Sequence, residues 1–80
     1  MCYWVGIRAP QDMTPDRAVE LAKEALSDAG MWSGEVEIID AEVYSGALNI
    51  GANMELDDYA WRGQRSFEYS KGGVTVDGSR

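Results

Sequence analysis

The chain has no histidine and one cysteine, Cys2, among 80 residues. Those two counts exclude a disulfide scaffold, a Cys/His zinc site and every histidine-based catalytic triad. Positive charge is scarce as well: seven Lys and Arg stand against 14 Asp and Glu, for a net charge of −7. A chain of this sign repels phosphate backbones and anionic lipid, so neither direct nucleic-acid binding nor membrane binding is expected. Long apolar runs are missing, and the start MCYWVGIRAP lacks the basic, apolar and small-residue zones of a secretory signal, which points to a cytoplasmic protein.

What is present suits a folded domain. Hydrophobic residues make up 45% of the chain, with three Trp, four Tyr and one Phe, an ordinary globular proportion. Eighty residues make one domain, residues 1–80, near the lower limit at which a single core suffices. Self-association as a homodimer therefore stays open.

The clearest element is TPDRAVELAKEALSDAG, residues 14–30. Thr14 can cap the first amides, Pro15 suits the first helical position, Asp16 complements the positive dipole end, and Gly30 can stop the helix in a left-handed conformation. At 100° per residue, Ala18, Val19, Leu21, Ala22, Ala25, Leu26 and Ala29 share one side.

Strand signals surround this helix. Tyr3, Val5, Ile7 and Ala9 alternate with Cys2, Trp4, Gly6 and Arg8, which predicts an interior strand ended by Pro10. Trp32 is expected to fold back over the end of the core. In EVEIIDAEVYSG, Val36 and Ile38 share a face with Ala41 and Val43 only if one residue is inserted, so a β-bulge is expected at Ile38-Ile39. Ser45-Gly46 reads as a two-residue hairpin turn, followed by clean alternation of Leu48, Ile50, Ala52, Met54 and Leu56 toward the helix. Asp57-Asp58 reads as a turn, and Tyr59, Trp61, Phe67 and Tyr69 occupy odd positions of a further stretch. After Lys71-Gly72-Gly73, Val74 to Val76 reads as a short edge strand, with the final DGSR fraying.

The expected fold is α+β, a two-layer sandwich of one helix packed on an antiparallel sheet of about four strands, in the order β-α-β-β-β(-β). The sheet's other face, with Trp4 and some of Tyr44, Tyr59, Trp61 and Tyr69, reads as too aromatic for a purely solvated surface. This layout is similar to that of dodecins, small flavin-binding oligomers that sandwich a ring between tryptophans. The similarity is one of layout, and no residue is carried over from it.

Charge patterning supplies the first candidate site. Asp16, Glu20, Glu24 and Asp28 stand at strict four-residue spacing along the outer helix face. Like-charge steps cost about 0.2 to 0.5 kcal/mol each, so the row carries roughly 0.6 to 1.5 kcal/mol of repulsion, partly offset by Arg17 and Lys23. Glu35, Glu37, Asp40, Glu42, Glu55, Asp57 and Asp58 can extend the acidic field if the strands place them nearby. Residues 1–58 hold twelve acidic and three basic side chains, a net −9, whereas residues 59–80 hold four basic and two acidic, a net +2. The bland reading of the row is an ordinary solvated face.

Other candidates are weaker. Tyr59, Trp61, Arg62, Arg65 and Tyr69 interleave aromatic and basic groups that can stack on a base or flat ligand, or simply pack across a strand. The opening MCYWVGI resembles, over about seven residues, the MCGIVGI start of class II glutamine amidotransferases, in which an N-terminal thiol is the nucleophile. The chain departs from that family in length and lacks everything downstream that would bind glutamine, so Cys2 is expected as a buried strand residue. Gly46 to Gly51 has phosphate-loop glycine spacing without the Lys-Ser/Thr that would follow. Glu55, Asp57 and Asp58 lack the spacing of a calcium loop.

Together these features predict an acidic, non-enzymatic interaction protein without metal or cofactor. Asp16, Glu20, Glu24, Asp28, Glu35 and Glu37 would bind a basic protein partner, for instance one that itself binds nucleic acid. Trp4, Tyr59 and Trp61 would form an aromatic interface. The functional type is a phage or mobile-element inhibitor of the anti-CRISPR or anti-restriction kind, acting by nucleic-acid mimicry. The alternative is a small oligomeric protein that stacks an aromatic ligand on Trp4, Trp32 or Trp61.

Overall fold

A computed structural model describes residues 2–57 and 66–79. The elements are β1 (Cys2–Pro10), α1 (Pro15–Asp28), β2 (Ser33–Tyr44), β3 (Ala47–Leu56), β4 (Ser66–Lys71) and β5 (Val74–Ser79). All strand pairs are antiparallel, in the spatial order β2-β3-β1-β5-β4. One helix on one sheet is the expected two-layer α+β arrangement, with one strand more than the basic count of about four. No described helix is long and apolar enough to cross a membrane.

The helix begins and ends as its sequence directs. The Arg17 amide donates to Thr14 Oγ1 at 3.2 Å, and Pro15 follows the cap. At the other end Gly30 has φ of 82°, its amide donates to Ser27 O at 2.9 Å, and the Met31 amide donates to Leu26 O at 2.9 Å. This is a Schellman stop, and its usual apolar contact pairs the residue after the glycine with the start of the last turn. Met31 and Leu26 are both buried in the core accordingly. The stop corrects one expectation: Met31 closes the end of the core, and Trp32, one residue further, is 57% exposed.

One face of the sheet forms the core with the helix. Val5, Ile7 and Ala9 of β1, the even positions Leu48 to Leu56 of β3, and Val74 and Val76 of β5 are buried with Ala18, Leu21, Ala22, Ala25 and Leu26. Phe67 and Tyr69 stack at 5.6 Å on this same face, so Tyr69 belongs to the core side. The Ser45-Gly46 hairpin forms with φ of 53° and 76°, and Asn49 Nδ2 donates to the Tyr44 and Ala47 carbonyls across it. Two positive φ values match a tight turn whose twist suits the flanking strands. The β2 register shifts between Ile38 and Asp40, the bulge expected there.

The last strand overturns an expectation. β5 lies between β1 and β4, extends through Ser79, and is interior; β4 is the edge. Val74 and Val76 have no solvent exposure, and the Phe67 ring covers Gly78, where a Cβ would meet Phe67 Cε1 at 2.7 Å. The chain therefore returns to pair with β1, a position that buries both valines. Residue 58 of the proposed Asp57-Asp58 turn, and Tyr59, Trp61, Arg62 and Arg65, lie outside the described residues.

Candidate functional site

Period-two alternation sends the odd positions of β3 and the even positions of β1 to the sheet face opposite the helix. No described layer covers that face. Registers across all five strands align Asp40, Gly51, Gly6, Asp77 and Glu68 in one row. Directly beside it run Glu42, Asn49, Arg8, Thr75 and Ser70, and on the other side Glu37, Asn53 and Trp4.

The paired glycines at the row's centre leave its floor without side chains, and two neighbours use the space. Trp4 lays its indole over Gly51, where a Cβ would stand 2.5 Å from Cζ2 and 2.6 Å from Cη2. Asp77 lays its carboxylate over Gly6, where a Cβ would stand 2.7 Å from Oδ1. Trp4 remains 54% exposed, between a depression of about 290 Å3 toward Asp40, Glu42 and Arg8 and one of about 530 Å3 toward Glu68 and Asp77. Asp40 and Asp77 start three strand steps apart, about 14 Å at the usual spacing. An exposed indole face between carboxylates attracts a cation, through the ring quadrupole and through charge. Arg8 is the one basic side chain that the described strands place on this face.

The helix row has a different character. Lys71, at the end of β4, reaches Asp28 Oδ2 at 2.8 Å and Glu24 Oε1 at 3.4 Å, and Arg17 pairs with Glu20 Oε2 at 2.9 Å. Hydrogen bonding to Asp28 first, then to Glu24, holds the Lys71 pKa above its ordinary 10.5. Three of the four carboxylates thus have partners within the fold, and the repulsion expected from sequence has a structural answer. Arg17–Glu20 is a local pair, whereas Lys71 reaches the other two from 43 residues beyond Asp28, a contact no local spacing rule finds.

Of the other predicted residues, Glu37 joins the open face beside Asn53, and Glu35 lies on the exposed part of β2. Cys2 is exposed at the start of β1, opposite Glu55, which corrects its expected burial. Among the described residues no three potential metal ligands converge. Sequence reading includes Asp40 and Glu42 in the candidate extension of the acidic field but misses Asp77 and the grouping of all three around Trp4. The signal that could have found them was Gly6 and Gly51, two strand glycines at the centre of the best alternating segments. No family model matches the chain, and no curated protein or solved structure matches it either.

Proposed function

We propose that this protein is an acidic interaction module that docks a basic protein surface on the open sheet face, with Trp4 as the stacking platform and Asp40 and Asp77 as the flanking charges. The observation that carries the reading is the glycine floor: it lets an indole and a carboxylate lie against the sheet, the indole half exposed and the carboxylate partly so. An arginine of the partner would stack on Trp4 and reach either carboxylate, a pairing suited to a planar, weakly hydrated cation. The helix row adds long-range attraction but is already engaged with Arg17 and Lys71, so the direct contact is assigned elsewhere. Arginine and lysine are also the groups that proteins use to hold phosphates. Occupying them would block a nucleic-acid-binding partner, as inhibitors of the anti-restriction or anti-CRISPR type do.

An arginine-rich peptide, acetylated and amidated, tests the site by amide and indole chemical-shift mapping. Shifts should centre on Trp4, Gly6, Gly51 and Asp77, and should be lost in Trp4→Ala and in the double variant Asp40→Lys/Asp77→Lys. Glu20→Lys/Glu24→Lys should weaken binding only through its salt dependence. Shifts confined to the helix would defeat the assignment. A neutral flat aromatic compound that binds Trp4 better than the peptide does, unaffected by the charge reversals, would favour the aromatic-ligand alternative.

A further inference from the structure

β2 differs from every other strand in being exposed at each position from Glu37 to Tyr44. It is a sheet edge of twelve residues, and no described element buries its second half. On the helix side this leaves an apolar strip, Ile38, Ala41 and Val43, with Val43 at 59% exposure. On the open side stand Asp40 and Glu42, continuous with the carboxylate rows around Trp4. Long, open edges invite pairing, and proteins commonly blunt them with lysine, proline or a bulge. β2 has register irregularities before Val36 and between Ile38 and Asp40, which leave 40–44 regular, and its charges are all carboxylates, which oppose an acidic strand but attract a basic one.

The hairpin determines which backbone groups are free. A two-residue turn closes on a hydrogen-bonded pair, here Tyr44 and Ala47, and antiparallel ladders alternate from there. Asp40, Glu42 and Tyr44 therefore turn their amides and carbonyls toward β3, while Ala41 and Val43 turn theirs outward. A strand added at this edge would place its side chains opposite Ala41 and Val43 on the apolar side, and the intervening ones over Asp40 and Glu42.

We infer that residues 40–44 of β2 accept an extended segment of the partner as a sixth strand, one in which lysine or arginine alternates with apolar residues. This inference rests on the basic-partner reading and adds the mode of recognition, main-chain pairing with alternate side chains read on the two faces. A second copy of this chain fits poorly. The antiparallel self-pairing that uses all of 40–44 sets Glu42 directly against Glu42 of the other copy, a destabilising juxtaposition. Charge complementarity selects a basic strand instead.

The probe is a seven-residue peptide of alternating lysine and valine, acetylated and amidated, with two controls: glutamate in place of lysine, and N-methylation at alternate amides. Amide exchange at Ala41 and Val43 should slow at least tenfold on binding, and the two controls should produce no slowing. Val43→Pro removes an outward N–H without touching the β2–β3 ladder, and should weaken binding at least tenfold while the circular dichroism stays native. Unchanged exchange at Ala41 and Val43 in the saturated wild type would overturn the inference without any variant. If Asp40→Lys/Glu42→Lys abolishes binding but N-methylation and Val43→Pro do not, strand addition fails and the open-face reading stands. If neither the charge nor the edge changes matter, both fail. A sedimenting dimer that Val43→Pro dissociates would make a second copy the occupant and overturn the choice of partner.

Discussion

The two faces of the sheet are built by the same strands, one residue out of phase, and they follow opposite rules. On the helix side, Val5, Ile7, Ile50, Ala52 and Met54 are buried and interlock with Ala22, Ala25 and Leu26. On the open side, the central positions are glycine, the apolar group is a half-exposed indole, and most of the rest are carboxylates or amides. Stability is concentrated on the first face, where removal of atoms leaves cavities. The second face contributes less to stability and leaves groups accessible, which is why the proposed docking falls there.

The largest effect should come from the covered face. Leu26 has no exposure and anchors the helix stop, so Leu26→Ala should cost about 3 kcal/mol in urea denaturation, enough to unfold much of a domain this small. A loss below about 1 kcal/mol would remove the contrast between the faces. Trp4→Ala should cost only about 1 kcal/mol, since half of its surface is already wet, yet should lower affinity for the arginine-rich peptide at least tenfold. A stability loss equal to that of Leu26→Ala would make Trp4 a structural residue.

Gly51→Ala sharpens the comparison further. The added methyl would displace the indole, which can swing into solvent, so stability should change by under about 1 kcal/mol while tryptophan emission shifts and peptide affinity falls. The smallest effect concerns Lys71. Its raised pKa means that its contribution is fully present below 10.5 and is lost as pH rises through the folded value. Thermal melts between pH 9 and about 12 should therefore bring wild type and Lys71→Met closer together, tyrosine ionisation being common to both. A gap between the two proteins that stays constant across that window would show that Lys71 does not act through its charge.

Local signals in the sequence were enough for the parts that depend on neighbours a few residues away. Thr14, Pro15 and Gly30 specify the helix ends, Ser45-Gly46 specifies the hairpin, and the doubled isoleucine at 38–39 exposes the bulge because it breaks a period of two. Errors arose where distant partners compete. Trp32 was expected to cap the core by size alone, but the glycine stop presents Met31 first. Val74 and Val76 were expected at an edge because they are close to the chain's end, but pairing with β1 buries them. Tyr69 is one of several candidates for the open face by sequence, and its stacking on Phe67 places it on the core side.

The sequence by itself determined the helix, the alternation and therefore the existence of two unlike sheet faces, because caps, turns and periods of 3.6 and 2 are short-range properties. Only tertiary structure decided which strands became neighbours. That choice set Gly6 beside Gly51, aligned Asp40 with Asp77, sent Lys71 to the helix carboxylates and left β2 at the edge. Each follows from strand order and register, which are selected by burying apolar surface across the whole chain and are not encoded at any one spacing.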